Sequence, residues 1–226
     1  MTEKKEKHDI DPKRAVKIRE MVKKRQTNLT IVLENVLDPH NIAAVMRTAE
    51  SIGVMEIFIL FTERHVEEIE VSKRASAGSR KWLDIHLYND IEACFKHVNS
   101  KYDTVIATHL GKNAKSIYDL DLSGSVALLF GNEHKGLTEE ALKYADANMI
   151  IPQAGMGQSL NISVACAVTL YEAFRQRREK GFYSDNPLLS EVEQEKLYDY
   201  YLDRARVKRY NLYIKEVKDR KDFDEY

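Results

Sequence analysis

The chain has 226 residues, enough for one sizeable hydrophobic core with extensions or for at most two small domains. Charged residues make up 31% and apolar residues 43% of the sequence, a balance typical of a soluble globular protein. No apolar run approaches the ~20 residues of a membrane span, and residues 1–8 lack the apolar segment of a secretory signal. We therefore expect a cytoplasmic protein without membrane contact, in which Cys94 and Cys166 stay reduced.

The net charge of −1 is unevenly distributed along the sequence. Residues 1–28 carry ten Lys and Arg against five Asp and Glu, and residues 175–220 carry twelve against nine, which leaves −9 for the remainder. Basic ends around an acidic middle suit a protein that grips a polyanion by its ends. A solvated, charged helix explains either end about as well.

Strands and helices are predicted in alternation along the chain. Runs of apolar and β-branched residues predict strands at 29–33, 56–61, 81–87, 104–108, 125–130 and 148–151. Helical periodicity predicts helices at 13–25, 42–53, 90–98, 138–145 and 162–174, with a further helix opened by a capping box at 190–193. This alternation indicates an α/β fold with a mostly parallel sheet flanked by helices on both faces.

The helix at 42–53 carries an unusual charge. Asn41 is a plausible N-cap and Gly53 a plausible C-terminal stop. Arg47 lies between apolar residues of this helix, so its guanidinium needs a partner, which is either a carboxylate or a phosphate. A structural salt bridge, with Glu50 as the nearest acidic residue on the helix, is the alternative to a ligand site.

The segment at 150–161 combines a strand end, a loop and a helix start. Pro152 ends the strand, two glycines follow, and Ser159 and Asn161 stand where the next helix begins. Because the loops after Thr108, Phe130 and Ile151 follow parallel strands, we expect them to gather at the carboxyl edge of the sheet, where open α/β sheets bind ligands.

Common nucleotide and metal motifs are missing from the sequence. There is no G-x-G-x-x-G and no Walker motif, and the seven histidines are scattered without metal-ligand spacing, so we expect no metal. What remains is a set of polar residues at the predicted loop–helix junctions of one sheet edge: Asn41, Arg47, Glu133, Ser159 and Asn161.

Three stretches resemble the signature motifs of the SpoU branch of the SPOUT RNA methyltransferases. They are residues 41–53 with Arg47, residues 129–137 with the sequence LFGNEHKGL, and residues 151–165 with Ser159-Leu160-Asn161. Residues 107–110 add to the likeness, which covers about 29–183. The order and spacing of all three motifs make the resemblance specific.

The resemblance implies a deep trefoil knot in the C-terminal part of the sheet, an exception to the rule against threaded chains. It implies a homodimer that binds S-adenosylmethionine, mainly through backbone groups of Thr108, Leu110, Gly131, Ile151 and Leu160. Together with the charge distribution, it divides the sequence into three predicted parts: a basic helical extension at 1–28, a methyltransferase domain at 29–181 and a helical extension at 182–226.

The reaction implied by the resemblance is methylation of a ribose 2′-hydroxyl, with guanosine 18 in the D-loop of tRNA as the expected target. Arg47 would stabilise the developing alkoxide, since a guanidinium with a pKa above ~12 is a poor base. Glu133, Ser159 and Asn161 would position the arginine and the loops, and Asn41 would belong to the same catalytic set. Arg177 matches a family arginine that acts near the active site, across the dimer.

Two alternative functions fit the same residues. The first keeps the chemistry and moves it to ribosomal RNA or to the tRNA wobble position. About 28 residues before the first strand are too few for a separate ribosomal substrate domain. The second is a catalytically silent RNA-binding protein, which intact Arg47 and Glu133 disfavour. Two further stretches suggest RNA contact, the small basic segment 71–80 and the Tyr- and Arg-rich segment 198–213, although the latter equally suits a packed amphipathic helix.

Overall fold

A parallel sheet of seven strands forms the centre of the structure, a computed structural model that describes residues 10–71, 78–111, 113–157, 159–207 and 213–217. Two short strands pair separately. The strands are β1 Leu29–Glu34, β2 Glu56–Leu60, β3 Glu68–Glu70, β4 Asp84–Tyr88, β5 Thr104–Thr108, β6 Lys115–Ser116, β7 Val126–Phe130, β8 Ala147–Ile150 and β9 Tyr213–Lys215. The order in the large sheet is β4-β2-β1-β7-β5-β8-β6, and β3 pairs with β9.

Helices cover both faces of the sheet. They are α1 Pro12–Val22, α2 Pro39–Ser51, α3 Ile91–Asn99, α4 Glu139–Leu142, α5 Ile162–Glu179 and α6 Glu191–Arg206. Along β1, Ile31 and Leu33 belong to the core shared with α2 and α5, whereas Val32 belongs to the core shared with α3. This two-sided burial explains why the strands read as continuous apolar runs. No helix in the described ranges is long and apolar enough to cross a membrane.

The strand register brings the predicted loops to one edge. Leu33 pairs with Phe130, Ala107 with Leu129 and Thr108 with Met149, so β1, β5, β7 and β8 all end at the same side. The predicted parallel α/β sheet and the gathering of the loops after Thr108, Phe130 and Ile151 are therefore confirmed. The short edge strand β6 and the pair β3–β9 were not predicted, because each has three residues or fewer.

Helix α2 begins two residues before the predicted N-cap. Asp38 is the N-cap, and its Oδ1 accepts a hydrogen bond of 2.9 Å from the backbone N–H of His40. Pro39 occupies the first helical position, where no backbone N–H is needed. The assignment of Asn41 as the cap was therefore wrong, and the consequence is that its side-chain amide is available for contacts outside the helix.

Other predicted boundaries differ by a few residues. The strand predicted from residue 81 begins at Asp84, because Ser79–Lys81 form a 3-10 turn, and the helix predicted to residue 145 ends at Leu142. The capping box of Ser190 and Glu193 is confirmed at the start of α6. Residues 72–77 of the small basic segment lie outside the described residues.

Helices α1 and α6 pack against each other beside the amino ends of the strands. Ile18 and Val22 of α1 meet Leu197 and Tyr201 of α6 in a small core of their own. Tyr200 donates a hydrogen bond of 3.1 Å to Asp84 at the start of β4. The packed-helix reading of residues 198–206 is therefore the correct one, although Tyr210 lies outside the described residues.

Gly53 provides a sharp test of the packing between α2 and the segment after α1. Its φ is +89°, and a Cβ at this position would overlap the backbone carbonyl oxygen of Lys24. We expect Gly53→Ala to lower the free energy of unfolding by about 2–4 kcal/mol, because it adds backbone strain to a steric clash. Urea unfolding measures the change.

Gly124→Ala is the matched control, since a Cβ at Gly124 meets no atom within 4 Å. Its free energy of unfolding should stay within about 0.5 kcal/mol of the wild type. Equal losses in the two variants would contradict the role assigned to Gly53.

Candidate active site

A cavity of about 470 Å³ opens at the carboxyl edge, between the loops that follow β5, β7 and β8. The five residues that the sequence predicted to bind a cofactor all line it: Thr108, Leu110, Gly131, Ile151 and Leu160. Further apolar wall comes from Phe130, Met149 and Ile162. Its size and apolar character suit a small organic ligand.

The backbone of the loop after β8 is open to a ligand. Among the described residues from Ile151 to Leu160, none donates a backbone hydrogen bond to another described backbone group. Pro152 to Gly157 are exposed. The cavity therefore offers apolar walls together with unpaired peptide groups, a combination that fits a ligand with a flat ring and several polar atoms.

The loop after β7 is held to β1 and the residue that follows it by the polar side chains of Glu34 and Asn132. The Glu34 carboxylate accepts hydrogen bonds from the Thr138 backbone N–H at 2.9 Å and from the Thr138 hydroxyl at 2.6 Å. Asn132 donates to the backbone carbonyl of Asn35 at 2.9 Å. Gly131 permits the loop to close, since a Cβ there would overlap the backbone of Gly136. Sequence analysis missed Glu34, although a carboxylate within an apolar strand is a usable signal.

Three predicted site residues from distant parts of the chain form one hydrogen-bonded chain. The Asn41 amide donates to Glu133 Oε1 at 2.7 Å, and the Asn161 amide donates to Asn41 Oδ1 at 3.2 Å. Asn161 Oδ1 in turn accepts from the backbone N–H of Ser163 at 2.9 Å, so the residue also caps α5. Ser159 lines the same cavity as Glu133.

Arg47 lies on α2 about 9 Å further along the helix axis than Asn41. Its side chain is exposed and forms no ion pair with any residue that the structure describes, Glu50 included. The structural salt bridge that the sequence left open is therefore absent from the described contacts. Arg47 does not line the 470 Å³ cavity; it lines a separate groove, and its guanidinium is available to an anionic ligand.

Two adjoining grooves run from Arg47 to α1. The first, of about 790 Å³, lies along α2 and includes Arg47, His40 and Tyr171 in its walls. The second, of about 640 Å³, is lined by basic residues of α1: Lys13, Arg14 and Lys17. Glu50, Ser51 and Trp82 line both grooves. Sequence analysis did not single out Trp82, because nothing local to it indicates a site.

Arg177 is the predicted site residue that the structure places elsewhere. It lies near the end of α5, about 24 Å along the helix axis from Asn161, and its side chain is fully buried at the amino edge of the sheet. Burial lowers its pKa to about 10. Its hydrogen bonds, of 2.6–3.1 Å, go to the carbonyls of Leu122, Asn28 and Gly124 and to the side chains of Gln26 and Asn28.

Those five hydrogen bonds match the five N–H donors of a guanidinium. Arg177 therefore has no donor left for a ligand in this arrangement, and it does not meet Asn41, Glu133 or Asn161. What it does is join the segment before β1 to the segment before β7. The expectation that Arg177 acts near the active site across the dimer stays a prediction.

A buried polar cluster lies on the α3 side of the sheet. Glu56 accepts hydrogen bonds from His86 at 2.8 Å and from Tyr102 at 2.9 Å, and Lys101 lies 3.0 Å from its carboxylate. Burial alone would raise the pKa of Glu56, but His86 and Lys101 lower it to about 2. His97 lies close by. Because protein donors already satisfy the carboxylate, we interpret the cluster as structural.

Comparison with known proteins agrees with this site. The model of the SpoU rRNA methylase family matches residues 28–171, and the chain belongs to that family. The fold and the edge cavity thus define an RNA methyltransferase of the SpoU type.

More particular relatives share most of the chain. It is 39% identical over 83% of its length to the tRNA (guanosine(18)-2′-O)-methyltransferase of Escherichia coli (strain K12), of which it covers 81%. The crystal structure of the Aquifex aeolicus TrmH/SpoU tRNA modifying enzyme matches with a TM-score of 0.76 and 34% identity, over 87% of this chain and 98% of that one. The SpoU methyltransferase AviRb of Streptomyces viridochromogenes, solved with its cofactor AdoMet, matches with a TM-score of 0.61 and 25% identity, over 69% of this chain and 62% of that one.

Replacement of Arg177 tests its structural role. We expect Arg177→Met to lower the free energy of unfolding by about 3 kcal/mol or more, since it leaves several buried acceptors unpaired. Arg178→Met, one residue along the same helix, removes an exposed arginine and should change the value by no more than about 0.5 kcal/mol.

Chemical denaturation with circular dichroism gives both numbers. The structural role is refuted if Arg177→Met unfolds at the same denaturant concentration as the wild type.

Proposed function

We propose that the chain transfers a methyl group from S-adenosylmethionine to the ribose 2′-hydroxyl of guanosine 18 in the D-loop of tRNA. The observation that carries the proposal is the convergence of the three motif segments, in which Glu133, Asn41 and Asn161 are hydrogen-bonded beside a ligand-sized cavity. The name and high coverage of the E. coli relative support the choice of tRNA and of guanosine 18.

The edge cavity is the proposed S-adenosylmethionine site. Thr108, Leu110, Gly131, Ile151 and Leu160 would hold the cofactor, largely through the open backbone of the loops after β5 and β8. The AdoMet complex of the similar AviRb enzyme supports this choice of ligand. When bound, the cofactor supplies an electrophilic methyl group on a sulfonium.

Arg47 is proposed to stabilise the nucleophile. A ribose hydroxyl is weakly acidic, so a cation close to the developing alkoxide lowers the barrier. The exposed guanidinium of Arg47 can fork onto the hydroxyl oxygen and the adjacent phosphate. It cannot act as the base, since its pKa exceeds ~12; the proton would pass to the target phosphate.

Asn41, Glu133, Ser159 and Asn161 are proposed to position the reacting groups. The hydrogen bonds among Asn41, Glu133 and Asn161 fix the first turn of α2 relative to the two loops of the cavity. Arg47 belongs to the same rigid helix, so its distance from the cavity is set by that contact. Such fixed geometry favours an in-line attack on the methyl group.

The two adjoining grooves are the proposed path of the RNA. Lys13, Arg14 and Lys17 of α1 line the second groove and would contact phosphates. The basic ends of the sequence then serve substrate binding, in line with the proposed division into extensions at 1–28 and 182–226 around a domain at 29–181.

The chain is also proposed to form the trefoil knot. The strand order requires the chain to leave β5 for the far edge, return to β7 beside β1, and then insert β8 between β5 and β6. The segment after β6 is tied to α5, where Gln176 donates to the carbonyl of Leu120 at 2.9 Å and accepts from the Leu122 backbone N–H at 2.7 Å. Both features support threading of the chain before α5 through the loop before β7.

A homodimer is proposed from the outer surface of α5. Val164 and Tyr171 lie seven residues apart on this helix, and 46% and 54% of their surface is exposed. Two large apolar side chains on one helical stripe, next to the grooves, favour burial against a second copy of the chain. Such an arrangement would place groups of both copies around one RNA.

Arg47 variants test the proposed reaction. With a tRNA transcript as substrate, product mapping should find methylation at guanosine 18 only. We expect Arg47→Ala and Arg47→Lys to reduce single-turnover methyl transfer by roughly 10²–10³-fold, because a lysine does not reproduce the planar, two-pronged contact. Calorimetric S-adenosylmethionine binding and the melting temperature should stay near wild type.

Lys96→Ala is the control, since it removes an exposed cation from α3, on the face of the sheet opposite α2, and should keep full activity. Full activity of Arg47→Lys would refute the bidentate role of Arg47. Methylation of ribosomal RNA or of the wobble nucleotide in place of guanosine 18 would refute the proposed substrate.

Light scattering tests the dimer. At micromolar concentration we expect a mass about twice the 26.2 kDa of the chain, and Val164→Glu should shift the protein to monomer because it places a charge on the stripe. Val192→Glu makes the same change at an exposed valine of α6 and should leave the mass unchanged. A wild-type monomer that methylates tRNA would contradict the proposal.

A further inference from the structure

Glu50 is an acidic residue in surroundings that are otherwise basic. It lies three residues after Arg47 on α2 and lines both grooves, between Arg47 at one end and Lys13, Arg14 and Lys17 at the other. A negative charge here weakens the attraction of both grooves for phosphate. Its presence in a path for RNA therefore calls for a separate explanation.

The carboxylate of Glu50 has no partner in the part of the chain that the structure describes. It accepts no hydrogen bond there and forms no ion pair, in contrast to Glu34 and Glu133, which are both engaged by protein donors. The side chain is half-buried. Burial raises its pKa, and the charges of Arg25 and Lys17 lower it in part. A half-buried carboxylate that accepts no hydrogen bond is costly in free energy, so a ligand that donates hydrogen bonds to it is bound favourably.

We propose that Glu50 recognises the guanine base of the target nucleotide by accepting hydrogen bonds from its N1–H and 2-amino groups. This assignment rests on the proposed function, in which the ribose of a guanosine lies at Arg47. Guanine alone among the four RNA bases presents two adjacent N–H donors on its Watson–Crick edge, and an ionised carboxylate offers two acceptors. Adenine would present its N1 lone pair to the carboxylate and be repelled.

Trp82 supplies the second element of a base-binding site. Trp82 lines both grooves with Glu50, and the guanidinium of Arg14 lies 5.9 Å from the centroid of the Trp82 ring. Aromatic side chains beside cations are a common surface for unpaired RNA bases. The grooves, of about 790 and 640 Å³, are large enough for a nucleotide.

The position of Trp82 is fixed by contacts behind it. Its backbone carbonyl accepts hydrogen bonds from the buried Arg25 and, at 3.2 Å, from Tyr201. The Tyr201 ring packs edge-on against the indole at a centroid distance of 5.5 Å. A wall held in this way needs little reorganisation when a base enters, which favours selective binding.

The test compares two tRNA transcripts that differ only at the target, one with guanosine 18 and one with inosine 18. Inosine keeps the N1–H and lacks the 2-amino group. We expect wild-type enzyme to prefer guanosine by roughly 10- to 100-fold in kcat/KM, the value of one hydrogen bond to a charged group. In Glu50→Ala and Glu50→Gln, kcat/KM for guanosine should fall further than kcat/KM for inosine, so that the preference shrinks towards one.

Glu92→Ala is the matched control, because Glu92 is an exposed carboxylate on α3. This variant should prefer guanosine over inosine by the same factor as the wild type. If Glu50→Ala lowers kcat/KM by the same factor for the guanosine and the inosine transcript, the role of Glu50 is purely structural and the assignment is overturned. Wild-type enzyme that methylates guanosine and inosine equally well would overturn it while the proposed function stands, and this comparison needs no variant to fold. If wild-type enzyme methylates no tRNA at guanosine 18, both proposals fail.

Discussion

The hydrogen bonds from Asn41 to Glu133 and from Asn161 to Asn41 are the contacts on which the site depends. They join residues 92 and 120 positions apart in sequence, and each comes from a different loop–helix junction at the carboxyl edge. A sheet alone brings these junctions within reach, but their relative orientation needs polar contacts that satisfy one another. This network sets the position of Arg47 because Arg47 and Asn41 lie on the same helix, α2.

Buried arginines perform a comparable task at the opposite edge of the sheet. Arg177 joins the segments before β1 and β7, and Arg25 holds the carbonyls of Val54 and Trp82. A planar group with five donors suits this work, since it connects several backbone carbonyls at the amino ends of the strands. The amino edge is thereby closed by internal hydrogen bonds. The carboxyl edge, in contrast, opens into the cavity of about 470 Å³.

Sequence reasoning succeeded where the signal was local or periodic. Apolar runs located the long strands, and polar residues at junctions located Asn41, Glu133 and Asn161. It failed where two local solutions competed, as at Asp38 and Asn41, which are both good N-caps. It did not anticipate the burial of Arg177, since an arginine in the last turn of a helix ordinarily favours the helix dipole and solvent. The grooves at Trp82 and Glu50 depend on α1 packing beside α2, which no short pattern encodes.

The segment 213–217, which contains β9, covers an edge of the large sheet and so affects how the protein folds during synthesis. Strand β4 is an outer strand of the large sheet, and Glu216 and Val217 lie along it, with the Val217 N–H donating to Leu87 at 2.9 Å. Uncovered strand edges promote aggregation between chains. Residues 213–217 leave the ribosome after every strand of the large sheet, so the nascent sheet keeps this edge open until they emerge. The interval before that segment emerges is the time when the growing chain is most prone to join another and when a chaperone would help it most.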